Sequence, residues 1–195
     1  MPLPFGDGGG SYAQNPSYTY NSPGTYTVAL TVTDSNGQTD STARTLSIPA
    51  DISDYCPAAG RVYQIQWIAN VQIGNFDHAS QASGYSDFSA DIIEAPQAAA
   101  LPIVLAHGPA NSMYLKYWRV WADLNRDGDF DDAGEILFQG AGVSTGPVNG
   151  AITIPAGAAE GHTRLRVALS LNGYPAPCGT FNAGEVEDYT LAISA

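Results

Sequence analysis

The sequence predicts an all-β protein, and three observations support this fold class. Apolar and polar residues alternate along several stretches, with the period of two that is typical of strands with one buried face. Turn-forming sequences, such as Ser22-Pro23-Gly24 and Asn172-Gly173, separate these stretches. No long stretch repeats its apolar residues at helical spacing. Together these features favour β-sandwiches, in which two sheets pack face to face.

Four alternating stretches predict strands, and in each of them every second residue is apolar. The first apolar face consists of Tyr26, Val28, Leu30 and Val32. The second consists of Tyr63, Ile65, Trp67, Ala69, Val71 and Ile73. The third and fourth consist of Leu165, Val167, Leu169 and Leu171, and of Tyr189, Leu191 and Ile193. Because successive side chains of a strand point to opposite sides, these sets are expected to form the buried faces of the sheets.

Composition excludes several classes of partner. The chain of 195 residues has 19 acidic and 7 basic residues, a formal net charge of -12, and Lys116 is its single lysine. A phosphate backbone would be repelled, so nucleic acid is not expected as a partner. No apolar run approaches the roughly 18 residues of a membrane span. The start, Met1-Pro2-Leu3-Pro4, lacks signal-peptide features, so the export signal of a secreted protein is expected to lie outside this sequence.

The two cysteines, Cys56 and Cys178, lie far apart in the sequence and lack the close spacing of a zinc site. We therefore predict a disulfide between them, with two separate buried thiols as the alternative. A disulfide that closes so long a loop would stabilise the fold by about 4 to 5 kcal/mol in the chain-entropy model. Such a bond favours an extracellular location.

An acidic stretch between Asp123 and Glu135 predicts a calcium-binding loop. Carboxylates or amides occupy its first, third and fifth positions, and Gly128 occupies the sixth, where an EF-hand-like loop turns sharply. The closing acid comes one position later than in an EF-hand, and the flanking residues suit strands. The candidate ligands are Asp123, Asn125, Asp127, Asp129 and Glu135. Asp131 and Asp132 compete with Asp129 for the ion, and a solvated acidic turn without an ion is the alternative.

The acids Glu185, Glu187 and Asp188 have two interpretations. Paired carboxylates can catalyse glycoside hydrolysis, which needs a cleft and a raised pKa. They can also be structural, by pairing with Arg164 or Arg166, by capping backbone groups or by supporting the calcium loop. We favour the structural interpretation, because no nucleophile, base and orienting partner occur together elsewhere in the sequence. The chain is therefore not expected to be an enzyme.

The stretch that starts at Tyr114 is rich in aromatic residues and is the strongest candidate for a binding surface. In a strand, Tyr114 and Trp118 share one face, and Tyr117 and Trp121 share the other. One of these pairs should face solvent or a partner, and Tyr174 lies in a further candidate loop. Rigid aromatic rings bind sugars or side chains at low entropic cost. Coverage of these rings by loops is the alternative.

Residues 5–49 resemble the second half of a PKD domain, an immunoglobulin-like sandwich common in secreted bacterial enzymes and surface proteins. The matching pieces are "FGDG", "NPSYTYNSPGTYTVALTVTDSNGQTD" and "LSIP". Only a few residues precede "FGDG", so the resemblance implies a partial sandwich. Tyr26, Val28, Leu30 and Val32 are then expected to be covered by something outside this segment, because each would otherwise forgo about 1.5 to 3 kcal/mol of burial.

Residues 55–195 resemble a GEVED domain, a β-sandwich often appended to secreted bacterial peptidases. The name is spelled by the residues from Gly184 to Asp188, and "YSDFS", "VWADLNRDGDF" and "IPAGAAEGHTRLRV" also match. The composition changes near Pro49. We therefore expect a partial PKD-like domain over residues 1–49, a linker over 50–54 and a larger β-sandwich with a calcium loop over 55–195.

The two resemblances imply a non-catalytic accessory module of a secreted or cell-surface bacterial protein. In this interpretation calcium stabilises the module, which attaches an extracellular hydrolase to a polymer, either protein or polysaccharide, or to a cell surface. The alternative is a structural or adhesive subunit that pairs strands with copies of itself and builds a fibre or surface layer. The uncovered half of the first sandwich favours that alternative.

Overall fold

The computed structural model describes residues 3–20, 24–48, 55–109, 113–143 and 145–195. Over these ranges the regular structure is entirely strand, which confirms the all-β prediction. The described ranges contain no helix that could cross a membrane. The chain divides into two compact units, Met1–Asp51 and Ile52–Ala195. The predicted linker at 50–54 lies outside the described residues.

The described residues of the first unit form two antiparallel sheets of two strands each. Its strands are β1 (Leu3–Pro4), β2 (Gly10–Ser11), β3 (Gly24–Thr33) and β4 (Thr39–Ile48). β3 and β4 form a hairpin, whose turn is closed by Asp34. The Oδ1 atom of Asp34 accepts hydrogen bonds from the backbone N–H groups of Asn36 and Gln38, both at 2.8 Å. Gly37 has a φ of 79°, which a glycine adopts without steric cost.

The predicted apolar face of β3 is only half covered within the unit. The ring of Tyr26 stacks on Tyr20 at 4.2 Å, and the Tyr20 hydroxyl donates to the carbonyl of Phe5. In contrast, Leu30 and Val32 are 43% and 53% exposed. The sequence predicts that a partner covers them, and this stays a prediction.

The second unit is built from ten described strands in two sheets. They are β5 (Ala58–Val62), β6 (Trp67–Ile73), β7 (Phe76–Ala79), β8 (Tyr85–Pro96), β9 (Ala100–Gly108), β10 (Leu115–Ala122), β11 (Ile136–Val143), β12 (Val148–Thr153), β13 (Gly161–Ser170) and β14 (Gly179–Ser194). The larger sheet has the order β11-β10-β13-β14, with β5 and β8 both on the far edge of β14. The smaller sheet has the order β12-β9-β6-β7. β5 runs parallel to the first part of β14, and β8 runs parallel to the rest.

The main core lies between these two sheets, as expected for a sandwich. β13 and β14 present their predicted apolar residues to it: Leu165, Val167, Leu169, Tyr189, Leu191 and Ile193. The smaller sheet contributes Ile68, Val71, Ile73, Ile103, Leu105 and Ile152. Each fully buried aliphatic side chain stabilises the fold by about 1.5 to 3 kcal/mol relative to an exposed one. Burial in this core therefore determines which face of each strand points inward in both sheets.

The predicted alternation of the second stretch is wrong in part. The strand begins at Trp67, and a β-bulge lies between Ile68 and Asn70. An extra residue in a bulge reverses which face the following side chains occupy. Ile68, which the alternation placed on the polar face, is consequently buried in the core. Ile73, which lies after the bulge, is buried as predicted.

A second, smaller core covers the outer face of the larger sheet. Its buried members are Tyr55, Ala58, Trp121, Phe130, Ala168 and Val186. A disulfide joins Cys56 and Cys178 next to this core, which confirms the predicted pairing. It connects the segment before β5 to the segment before β14, so it holds two neighbouring strands at their starts.

Candidate functional site

The acidic loop lies between β10 and β11, and its first acid organises the backbone. Asp123 is fully buried. Its carboxylate accepts hydrogen bonds from the N–H groups of Arg126 at 2.6 Å, Asp127 at 3.2 Å and Gly128 at 3.0 Å. The Tyr55 hydroxyl also donates to it. Asp123 therefore fixes the first turn of the loop and attaches it to the small core.

Glu135 closes the other end of the loop in a similar way. Its Oε1 atom accepts from the N–H of Leu124 at 2.9 Å, and its Oε2 atom accepts from the N–H of Asp132 at 3.2 Å. Burial raises the pKa of Glu135 to about 7, although both backbone hydrogen bonds oppose that rise. Two acids at opposite ends of the loop thus hold its backbone rather than face solvent.

Three exposed acids converge between these anchors. Carboxylate oxygens of Asp127, Asp129 and Asp132 lie within 4.8 Å of one another. The side-chain amide of Asn125 donates to Asp127 at 2.8 Å and to Asp132 at 2.6 Å. Asp127, through a side-chain hydrogen bond and its charge, raises the pKa of Asp132. These are the hard oxygen donors that calcium prefers, so the residues present fit such an ion in their chemistry.

The predicted ligands therefore fall into two groups. Asn125, Asp127 and Asp129 lie in or beside the exposed cluster, whereas Asp123 and Glu135 are engaged by backbone donors. Asp132, which the sequence could not rank against its neighbours, completes the cluster. Calcium binding itself stays a prediction.

The acids of the GEVED segment point to opposite faces of β14. Glu185 and Glu187 are buried on the core side. The Oε2 atom of Glu185 accepts from the N–H of Ile68 at 2.9 Å, so it connects β14 to β6 in the other sheet. The Tyr189 hydroxyl donates to Glu187 at 2.8 Å. Burial raises the pKa of Glu185 to about 8 and that of Glu187 to about 7, and the charge of Glu187 adds to the rise at Glu185.

Asp188 lies on the outer face and forms the centre of a buried ion network. Arg166 donates to it twice, from Nε and from Nη2, each at 2.7 Å. Arg164 donates from Nη1 at 3.0 Å, and the Tyr85 hydroxyl donates at 3.1 Å. The sequence offers pairing with Arg164 or Arg166 as one of several structural roles for the motif acids. In the structure Asp188 makes these pairs, while both glutamates face away from the arginines.

The motif glycine permits a close approach of two strands. Gly184 has a φ of 132°, and a Cβ atom there would lie 1.8 Å from the carbonyl oxygen of Leu169. A Cβ atom on Gly60 would likewise lie 1.9 Å from the carbonyl oxygen of Gly184. Side chains at either position would displace backbone, so β5, β13 and β14 can adjoin only because both residues are glycines.

The predicted aromatic binding surface is wrong for its two tryptophans. Trp118 is buried in the main core, and Trp121 is buried in the small core. Both faces of β10 are covered there, because the second sheet packs on one side while Tyr55 and Phe130 pack on the other. Neither tryptophan is thus available to an external ligand.

The tyrosines of the predicted surface remain accessible. Tyr114 is 54% exposed, Tyr174 is 39% exposed, and Tyr117 is half-buried. The rings of Tyr117 and Tyr174 meet edge to face, with centroids 5.2 Å apart. The Arg119 guanidinium lies 5.0 Å from the centroid of Tyr174. We call Tyr117, Arg119 and Tyr174 the tyrosine surface.

Comparison with known families finds one match within each of the two units. The family model of the PKD domain matches residues 3–48, and that of the GEVED domain matches residues 117–192. No curated protein gave a significant match. Both are non-catalytic accessory domain types that indicate an extracellular module, in agreement with the disulfide. These two matches agree with the resemblances that the sequence predicts, a PKD fragment followed by a GEVED domain.

Proposed function

We propose that this chain is a non-catalytic module that holds an extracellular protein, such as a hydrolase, against a polymer or a cell surface. The observation that carries this function is the tyrosine surface, formed by β10 and the loop that follows β13. Aromatic rings that meet solvent at a fixed position supply contact area at low entropic cost. They suit polymers that offer flat sugar faces or extended side chains.

The tyrosine surface is held rigid by its arginine. Arg119 donates from Nε to the Gln139 side chain at 2.7 Å and from Nη1 to the carbonyl of Pro175 at 3.0 Å. The second bond fixes the loop that carries Tyr174, and the disulfide at Cys178 anchors the same loop. A binding group that is ordered beforehand loses less entropy when it binds.

Calcium is part of this proposal as a stabilising ion. The carboxylates of Asp127, Asp129 and Asp132 would hold the ion, and Asn125, whose amide now donates to two of them, would join them by turning its side-chain oxygen towards the ion. Three neighbouring carboxylates repel one another, and a divalent cation would replace that repulsion by attraction. The same loop carries Phe130, which covers Trp121 in the small core. Ion binding would thus stabilise both the loop and the outer face of the larger sheet.

A pull-down on insoluble collagen, chitin and cellulose tests the attachment function. We expect the wild-type chain to sediment with at least one polymer. Tyr174→Ala should weaken this binding about tenfold, because an exposed ring pair is lost. Tyr12→Ala is the matched control, since Tyr12 is 83% exposed in the first unit. Wild-type protein that stays in the supernatant with every polymer would refute the function.

A second candidate function is self-assembly. Leu30, Val32 and Leu46 are exposed on the hairpin, and among the described strands β3 and β4 pair only with each other. Exposed strand edges are templates for pairing with another chain. Light scattering over a concentration series separates the two functions. A monomer that binds polymer supports attachment, whereas growth of the particle with concentration supports assembly.

A further inference from the structure

A cavity of about 640 Å³ opens on the outer face of the larger sheet. It lies where β5 and β8 follow one another along the edge of β14. Its walls come from the segment 55–59, from β8 and from the start of β14. The size is typical of small-ligand sites in proteins. No residue of the acidic loop or of the tyrosine surface lines this cavity.

The floor of the cavity is a rigid polar network. Asp188, Arg164 and Arg166 line it, and each is at most 5% exposed. Asp188 is fixed by four hydrogen bonds, two of them from Arg166. Arg166 also donates from Nη1 to the carbonyl of Cys56 at 2.9 Å, beside the disulfide. Burying charges is costly unless each is paired in good geometry, and this network meets that condition.

The formal charges that line the cavity cancel. Arg164 and Arg166 contribute two positive charges, and Asp87 and Asp188 contribute two negative ones. Hydrogen bonding to Ser89 lowers the pKa of Asp87, so Asp87 is ionised at neutral pH. A ligand with a net charge therefore gains little here, and an anion is also repelled by the net charge of -12. The equal numbers of positive and negative charges in the lining favour a neutral ligand that both donates and accepts hydrogen bonds.

The remaining lining suits a ring with an apolar face. Tyr85 contributes an exposed aromatic ring, Tyr55 contributes a buried ring that packs on Phe130, and Pro57, Ala58 and Ala59 contribute apolar wall. The Tyr85 hydroxyl oxygen and the exposed Asp87 carboxylate can accept hydrogen bonds from a ligand. A sugar ring combines an apolar C–H face with hydroxyl groups that donate and accept. Aromatic rings beside a few fixed polar groups are the complement of such a ligand.

We propose that this cavity binds a neutral sugar residue of an extracellular polysaccharide. The proposal rests on the attachment function and deepens it, because it names polysaccharide rather than protein as the polymer. In this arrangement the cavity recognises one sugar residue, and the tyrosine surface makes a separate contact. A charged saccharide would not match the balanced lining, and a neutral peptide is the competing ligand that the experiment compares.

Calorimetric titration of the full chain with cellohexaose and chitohexaose tests the proposal. Oligogalacturonate serves as the anionic comparison and gelatin as the peptide comparison. We expect binding of at least one neutral oligosaccharide, weakened about tenfold in both Tyr85→Ala and Asp87→Asn. Glu94→Gln is the matched control, since Glu94 is an exposed acid on the same strand outside this cavity. Asp87 is exposed, so Asp87→Asn is not expected to disturb folding, and melting curves check both variants.

Three results would overturn the proposal. The first is binding of gelatin or oligogalacturonate alone. The second is neutral-sugar binding that both cavity variants leave unchanged. The third is the absence of any neutral-sugar binding. In each case the pull-down on insoluble polymers still tests the attachment function separately. Wild-type protein that sediments with collagen, or that binds through the tyrosine surface alone, would support attachment. The cavity would then have no role in it.

Discussion

Arg166 and Asp188 face each other across β13 and β14 and form a two-point ion pair, with both contacts at 2.7 Å. Each residue is almost fully buried. Such a pair adds little net stability relative to a packed apolar pair, because both charges lose their hydration. Its orientation nevertheless fixes the register of the two strands and ties the Cys56 segment to them.

Removal of one partner of this pair should therefore cost more than removal of both. We expect Arg166→Met to lower the free energy of unfolding by about 3 to 5 kcal/mol, because Asp188 keeps a buried charge with fewer partners. The double variant Arg166→Met/Asp188→Leu should recover part of that loss. Urea unfolding followed by circular dichroism measures both. A single variant that loses less than about 1 kcal/mol would contradict this account.

Alanine at the motif glycine should strongly destabilise the second unit. Gly184→Ala places a Cβ atom against the Leu169 carbonyl and forces a backbone conformation that L side chains rarely adopt. We expect a loss of at least about 2 kcal/mol. Gly157→Ala is the matched control, because a Cβ atom there meets nothing within 4 Å. Equal melting temperatures for the two variants would show that the strands separate at little cost.

The buried glutamates should make stability fall as pH rises. Burial raises the folded-state pKa of Glu185 to about 8 and of Glu187 to about 7, above the ordinary value of 4.5. Between about pH 4.5 and 8 the folded state thus binds more protons than the unfolded state. The contribution of these two groups to the free energy of unfolding is largest below this window and decreases through it as their protons are lost.

The double variant Glu185→Gln/Glu187→Gln should flatten that part of the pH profile. Glu94→Gln, which changes an exposed acid, should leave the slope as in the wild type. Unfolding is measured at fixed temperature across the window, in chelator throughout so that calcium does not contribute. The same slope in all three proteins would mean that the two glutamates do not bind extra protons in the folded state.

Calcium should raise the melting temperature of the second unit. At about a hundred times the dissociation constant, a bound ion adds roughly 2.7 kcal/mol to the free energy of unfolding. Asp129→Asn/Asp132→Asn should abolish this gain, because it neutralises two of the three converging carboxylates. Asp131→Asn, an exposed neighbour outside that cluster, should keep it. An identical melting temperature in calcium and in chelator would refute the site.

The sequence predicts well wherever a strand is regular. Leu165 and Leu191 are buried as their alternation indicates, because β13 and β14 run through the core without an irregularity on their shared edge. The prediction fails for β6, because the alternation of apolar and polar residues does not indicate the β-bulge beside Ile68. The pairing of Arg166 with Asp188 depends on strand register, which the alternation alone does not specify.

Apart from the disulfide, contacts between distant segments could not be predicted. Trp121 is buried because Phe130 and Tyr55 cover it, and the sequence gives no reason to bring Tyr55 to that strand. The cavity likewise combines residues of β5, β8, β13 and β14. The acidic loop is the opposite case, because its residues are contiguous. Its composition alone indicated the ion chemistry, and the structure added which three acids converge.

β14 has a consequence for the order in which the second unit can fold. It is the common neighbour of β5, β8 and β13, so β5 and β8 cannot join the rest of the larger sheet until the residues after Cys178 leave the ribosome. Gly179 pairs with Ala58, a contact between remote parts of the chain, and such non-local pairing slows folding. During synthesis the edges of β5, β8 and β13 stay open until β14 is added, and open strand edges can pair wrongly.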